Sequence, residues 1–306
     1  MFLIFVLYAL FAVTFTLGKE CLYFMPPISF IGFRMVIAGI ILLGYSFFKE
    51  KHPVLFQKKD LWWFVGIIFL HIYFSFICEF LGINAMAPAK VCLIFNLSPF
   101  ITAIISYFLF KEIVTVKKAI GLLIGFAGFL PILFESSSSL QTVASESIGL
   151  FASMPELYVI ISVISACFGW IILKRLTHEG HYSYFYVNGI AMLGGGIAAW
   201  ITSFYLETQP DYLSALTNWG FLRPFLLLLL VGNVISYNLY GKLLKTYTAT
   251  LISFFGFFTP LFSAFFDWFI LGQVVTTNFY VSVIITTVGL YLYYQEELKQ
   301  GYIIQD

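Results

Sequence analysis

The sequence predicts an all-α membrane protein of ten transmembrane helices arranged as two inverted five-helix repeats, and three observations carry that prediction. The first is composition. Hydrophobic residues make up 61% of the 306, charged residues 10%, and the net charge is +1, which leaves too little polar surface to cover a water-soluble globule of this length. The near-neutral charge also gives no electrostatic reason for a nucleic-acid partner. The second is run length: most apolar runs approach or exceed the roughly 20 residues needed to cross about 30 Å of hydrocarbon. They are continuous rather than alternating, which argues against a membrane barrel. The third is an internal repeat. Ala89–Gly128 returns 161 residues later, without a gap, as Thr250–Gly289. Seven of the forty pairs are identical: Pro99/Pro260, Ala103/Ala264, Phe108/Phe269, Val114/Val275, Thr115/Thr276, Ile124/Ile285 and Gly128/Gly289. A Ser or Thr precedes each proline, and both copies read as an apolar run, a short hinge and a second apolar run: a duplicated helical hairpin.

In chain order the spans run Phe2–Phe24, Ile28–Phe48, Leu61–Ile83, Ala89–Phe110 and Ala119–Phe134, then Ile148–Leu173, Tyr184–Tyr205, Phe221–Leu244, Thr250–Leu271 and Phe279–Tyr294. The first has no basic n-region and no small-residue cleavage site before Lys19, so it reads as a membrane helix rather than a signal peptide. Pro26 and Pro27 turn the chain into the second span, and Pro88 lies in the short link to the fourth. Residues 1–134 form the first repeat, the serine-rich 135–147 an extracytoplasmic linker, and 148–306 the second repeat with a short cytoplasmic tail.

Loop charges set the orientation. With a cytoplasmic N-terminus, twelve of the sixteen basic residues fall inside: Lys49, Lys51, Lys58, Lys59, Lys111, Lys117, Lys118, Lys174, Arg175, Lys242, Lys245 and Lys299. The outer loops carry Glu135, Glu146, Glu207 and Asp211 instead. The first hairpin's hinge reads KEIVTVKK and the second's GQVVTTN, so one faces the cytoplasm and the other faces out. An odd number of spans per repeat forces that inversion, which is the usual framework for alternating access around a midplane site.

These features resemble the ten-helix, EamA-like branch of the drug/metabolite transporter superfamily. The residues that carry the resemblance are Lys19, Pro26 and Arg34, the run from Ala87 through Pro99 to Lys111 and Glu112, and the glycine-rich fifth span. The second copy departs from the pattern with Gln273 in place of Glu112 and with Gly189 near the position expected for a counterpart of Arg34. The resemblance implies movement of small organic molecules, such as amino acids, amines, nucleosides or drugs, without ATP hydrolysis. The chain agrees in lacking a phosphate-cradling GxxxxGK[ST] loop.

Charge within the membrane marks candidate chemistry, because an ionised group at a helix centre costs about 2.5–3.5 kcal/mol on insertion scales. Lys19, Glu20, Arg34, Glu79, Lys90, Glu156 and Asp267 qualify. Arg34, seven residues past Pro27 and so roughly 10 Å into its helix, is assigned a functional or helix-locking role, meeting an anionic part of the substrate or the acidic partner that the substrate must displace. Lys19 and Glu20 divide evenly between snorkelling to the interface and a cavity role. Glu79 and Lys90 sit near the outer ends of consecutive helices and read first as an ion pair. For Asp267, and for Glu156 beside Pro155, solvation and substrate contact weigh equally. Substrate-binding candidates are therefore Arg34, Lys19, Glu79 and Asp267, joined by the amides, phenol and indole of Asn233, Asn238, Tyr237 and Trp170. Asn96 and His71 are weaker candidates, a lone mid-helix histidine being more often a packed, hydrogen-bonded residue than a proton relay. Pro99 and Pro260 bend their helices near mid-membrane, which suits a gate or the curvature of a bundle, and their symmetric placement favours gating. The glycines of the fifth span (121, 125, 128) and of the seventh (194–196) read as close helix crossings.

Cys21, Cys78, Cys92 and Cys167 all lie in spans and form no CxxC, and His178 and His181 lack further ligands, so neither a zinc site nor a cofactor is expected. The expected function is a secondary transporter for an amino acid or a similar zwitterion or cation, not an enzyme. It would sit in the cytoplasmic membrane of a bacterium with both termini inside, as a monomer or homodimer, and be driven by H+ or Na+ or by an exchange substrate. The resemblance implies export as the favoured direction, with uptake of a metabolite such as an amino acid or S-adenosylmethionine, as in relatives from host-dependent bacteria, the runner-up. A membrane enzyme acting on lipid would need a nucleophile or metal cluster at depth, and none is found.

The charge asymmetry makes a direct prediction. In a background without the four native cysteines, a single cysteine at Ser137 labels from outside and one at Lys58 only after permeabilisation; the reverse pattern refutes the orientation.

Overall fold

The computed structural model describes residues 1–49, 57–86, 88–139, 153–178, 182–262, 265 and 277–302. These residues form ten helical spans and, among them, no strand. The first half comprises Phe2–Cys21, Pro27–Lys49, Lys58–Ala85, a broken fourth span (Pro88–Phe95 and Ser98–Phe110) and Val116–Ser139. The second comprises Met154–His178, Tyr184–Leu206, Trp219–Leu243, Ala249–Phe262 and Thr277–Lys299. Seven of the helices are long and apolar enough to cross a membrane, and Ala249–Phe262 is a shorter apolar helix. A six-residue helix, Tyr212–Thr217, lies between the seventh and eighth spans.

Local chemistry starts these helices. The seventh, eighth and ninth spans carry side-chain caps: Ser183 accepts from the Phe185 N–H, Asn218 from Gly220 and Thr248 from Leu251. The second span is capped from outside its own sequence, because both oxygens of Glu207 accept the N–H groups of Ile28 and Ser29 at 2.9 and 2.7 Å. A carboxylate there meets the positive end of the helix dipole.

Two pairs of helices hold the halves together, and each pair crosses through bare glycine. Cβ atoms placed at Gly32 and Gly39 would fall 2.8 and 2.5 Å from backbone atoms of Trp200 and Leu193. The contacts then recur with their partners exchanged: Gly189 faces Leu43, and Gly196 faces Val36. A shift of 157 positions maps Gly32 onto Gly189, Val36 onto Leu193, Gly39 onto Gly196 and Leu43 onto Trp200. The fifth and tenth spans do the same at a shift of 161, where Gly128 meets Thr286 and Gly125 meets Gly289. In each pair one residue number rises as the other falls, so the helices run antiparallel. Two equivalent helices in antiparallel contact require a two-fold axis in the membrane plane, and the halves are inverted copies. With lipid as apolar as leucine, this close backbone approach is what holds such helices together.

Two further irregularities are shared between the halves. The third span widens into a π-helical segment at Ile67–Phe74 and the eighth at Leu229–Ser236, eight residues each at a shift of 162. The fourth span breaks at Asn96 and Leu97 before Pro99, and the ninth tightens at Phe255–Phe258 before Pro260.

Several boundaries differ from the sequence reading. The fifth and tenth spans extend beyond Ala119–Phe134 and Phe279–Tyr294 because charges near their ends are buried against each other rather than left in loops. The Lys118 ammonium pairs with Glu297, both almost fully buried, and Thr248 donates to the other Glu297 oxygen at 2.8 Å. The fifth span runs through Ser139, into the linker placed at 135–147, and 140–147 lie outside the described residues. The sixth is described from Met154.

The crossings make a stability prediction. Gly39→Val places its side chain against the Leu193 backbone, which has nowhere to move, and overpacking of this kind costs on the order of 1–3 kcal/mol. Gly44→Ala, with nothing within 4 Å, is the control. Thermal midpoints in detergent fall for the first and not for the second; equal midpoints refute the crossing.

Candidate functional site

Six spans, one three-span set from each half, enclose a central cavity: the first, third and fourth with the sixth, eighth and ninth, while Arg34 enters from the second. The space between its walls, open mouth included, is about 1010 Å³. Symmetry-related positions line it from both sides. Phe95 and Gly256 do so, as do Ser98 and Thr259 and, across the wide turns, Ser75 and Tyr237. The cavity therefore lies on the two-fold axis. Neither proline is among the lining residues, but each lacks the N–H that would bond to the carbonyl of a residue that is, Pro99 to that of Phe95 and Pro260 to that of Gly256.

One wall is charged. The Arg34 guanidinium is buried in a box of three phenyl rings, 5.4, 5.0 and 4.8 Å from the centroids of Phe30, Phe76 and Phe80. Its Nε and one terminal nitrogen have no hydrogen-bond partner. Glu79 lines the same cavity, and no carboxylate among the described residues comes within 4 Å of Arg34. The ring faces hold the cation in place, while the two free donors are left for something that enters the cavity.

An aromatic stretch of wall adjoins it, Phe76 and Tyr237 lying 5.8 Å apart between ring centroids. Trp170 stacks on Tyr240 with 3.7 Å between ring centroids, and Tyr237 lies 4.8 Å from Trp170. Tyr240 is fixed in turn through a hydroxyl contact with Ser253, whose hydroxyl also meets Thr102. Polar atoms without partners punctuate this surface, namely the Asn96 amide nitrogen and the Asn233 amide oxygen. The Asn233 nitrogen finds only the weak sulfur acceptors of Met35 and Met192, at 3.1 and 3.7 Å.

Of the candidates read from sequence, Arg34, Glu79, Trp170, Asn233 and Tyr237 come together here. Lys19 does not: its ammonium donates to the carbonyls of Ile83 and Asn84 at 2.6 and 2.8 Å, tying the first span to the end of the third. Nor does Asn238, which accepts from Asn188 and donates to the Val234 carbonyl. Asp267 lies outside the described residues. The pairing of Glu79 with Lys90 is corrected as well. Lys90 instead reaches across to Glu156 at 2.6 Å, whose other oxygen accepts the Ser153 N–H. His71 is packed as expected, but neither ring nitrogen has a hydrogen-bond partner. Sequence reasoning missed Tyr8 and Tyr240. Tyr240 was within reach, since residues 233, 237 and 240 form one helical stripe.

The comparisons agree with this architecture. A solved crystal structure superposes with a TM-score of 0.69 at 15% identity, covering 96% of each chain, which supports the fold alone. The S-adenosylmethionine/S-adenosylhomocysteine transporter of Chlamydia muridarum (strain MoPn / Nigg) is 31% identical over 304 residues, covering 99% of this chain and 94% of its own. The protein of that name in Chlamydia trachomatis serovar D is 30% identical, covering 99% and 91%. The EamA-like transporter family pattern matches residues 1–134 and 153–295. A cavity on the two-fold axis of inverted repeats, unsatisfied polar groups on its walls and a family match over both halves lead to one conclusion: this chain is a multi-pass membrane transporter of small metabolites and belongs to the EamA-like transporter family.

Proposed function

We propose that the cavity carries S-adenosylmethionine inward and S-adenosylhomocysteine outward, as an exchanger that needs no coupling ion. The observation that carries this reading is the charged wall: a guanidinium with two unpartnered donors and a carboxylate on one cavity, within a chain 31% identical over nearly its whole length to a protein named for these two molecules. Each substrate bears an α-carboxylate and an α-ammonium. The planar fork of Arg34 suits the first and Glu79 the second. The adenine base meets the Trp170, Tyr237 and Tyr240 side, where Asn96 offers a donor and Asn233 an acceptor for its edge. The two substrates differ at sulfur, a cationic sulfonium in one and a neutral thioether in the other. Aromatic faces accept both, because they attract cations and also bury apolar groups.

Uptake, the runner-up on sequence grounds, thus combines with export in a single cycle. The loop charges support both termini inside, and the Chlamydia relatives support the cytoplasmic membrane of a bacterium.

Proteoliposomes preloaded with S-adenosylhomocysteine test the reading: they accumulate radiolabelled S-adenosylmethionine, and empty ones do not. Accumulation without a counter-substrate, or none at all, refutes exchange. Arg34→Lys keeps the charge and loses the fork, so at matched expression it lowers the initial rate by about tenfold, as 1.4 kcal/mol of lost binding gives. Glu79→Gln weakens uptake of the amino-acid substrate but not binding of adenosine; normal uptake by either variant removes that residue from the site.

Pro99→Ala and Pro260→Ala restore an N–H at each break. If the breaks serve gating, both variants fold and bind substrate while exchange slows, whereas loss of folded protein in step with transport assigns the prolines to structure.

A further inference from the structure

We propose that His71 is the second occupant of the binding position now held by Asn233, and that the two residues trade places when the transporter turns to face the other side of the membrane. The two wide turns put these residues in register. Ile67–Phe74 and Leu229–Ser236 align at a shift of 162, which pairs His71 with Asn233, the fifth residue of each turn. Both are buried, at 0 and 2% exposure, and both carry polar atoms without partners. Only Asn233 lines the cavity.

The position Asn233 occupies is itself symmetric. Its amide nitrogen lies against the sulfurs of Met35 and Met192, and those methionines are counterparts under the shift of 157 that relates the second and seventh spans. The two-fold operation exchanges Met35 with Met192 and so returns the slot unchanged, while it replaces Asn233 by His71. In a transporter of inverted repeats, the opposite-facing state is the one in which each half takes up the other's present conformation. In that state His71 stands between the two methionines and Asn233 is withdrawn.

The present resting place of His71 is built for withdrawal. Its imidazole lies against Gly169, where a Cβ would fall 2.1 Å from Nδ1, and the edge of the Trp170 ring meets it with 4.3 Å between centroids. Tyr237 covers it at 5.2 Å. A ring with both nitrogens unsatisfied, shut behind two residues that line the cavity, gains hydrogen bonds only by entering it. Entry brings a donor and an acceptor to the substrate where the other state offers an amide. Wide turns suit the exchange, because their i→i+5 hydrogen bonding is less regular than that of an α-helix and clusters at functional sites.

The inference rests on alternating access and not on which metabolite is carried, so its test needs no substrate. With the four native cysteines replaced, His71→Cys and Asn233→Cys are each probed with a membrane-impermeant methanethiosulfonate in right-side-out and in inverted vesicles. The expected result is reciprocal: one cysteine reacts severalfold faster from one face of the membrane and the other from the opposite face. Reaction of both from the same face, or no reaction at position 71 from either, overturns the proposal. Should His71→Cys fail to fold, the unsubstituted protein serves. Diethyl pyrocarbonate modifies His71 in the folded protein, read by peptide mass spectrometry; an unmodified His71 where the exposed His178 has reacted fully overturns it equally.

Discussion

The bare-glycine crossings of the second span with the seventh, and of the fifth with the tenth, are the constraint on which the rest depends. A membrane supplies little hydrophobic drive for helices to associate, so they join where backbones approach closely. Gly39 against Leu193 and Gly125 against Gly289 provide that approach, and each contact has a symmetric twin. Once these four helices are fixed about one axis, the other six surround it, the third and sixth meeting closely at Gly82 and Gly169. The cavity is the space they leave.

Polar groups are distributed accordingly. Away from the cavity the buried charges among the described residues are paired, Glu156 with Lys90, Lys118 with Glu297 and Glu112 with Lys174, and Lys19 is held by two carbonyls. On and behind the cavity wall the opposite holds for Arg34, Asn96, Asn233 and His71. A buried polar group without a partner costs about 1–3 kcal/mol, so a ligand that partners these side chains relieves part of that cost, whereas the unpartnered atoms of Ser106, Trp200 and Ser282 lie away from the cavity. The same arrangement draws a substrate in and makes the empty site less stable than the full one.

Much of this was legible in the sequence because it depends on spacing. The repeat at 161, its two prolines and its glycines pointed to an inverted fold, and Arg34, Glu79, Trp170, Asn233 and Tyr237 do stand on one cavity. What escaped depends on contacts between distant segments. Lys19 looks like a free charge in its own helix, and only the fold brings the Ile83 and Asn84 carbonyls to it. Glu79 and Lys90 are neighbours in the chain, but Glu156 from the other half arrives closer. Asn238 is spent on Asn188, a residue fifty positions away. The counterpart of Arg34 is Ala191 rather than Gly189, because the second helix of each half is related to its partner by 157 positions and the last two by 161. A single register cannot serve both, which is why the earlier helices showed no repeat.

The buried pair of Lys118 and Glu297, joined by Thr248, has a mechanical consequence. Parting it would leave an ammonium and a carboxylate bare in a medium that cannot solvate either, at a cost of several kcal/mol per ion. The fifth and tenth spans and the start of the ninth are therefore clamped into one stiff strut. Any rocking of the two halves has to pivot around that strut, and the bending falls to the helices whose hydrogen bonding is already irregular. The wide turns of the third and eighth spans and the breaks before Pro99 and Pro260 are then the joints of a frame, and the charged clamp is what keeps the frame from coming apart as it moves.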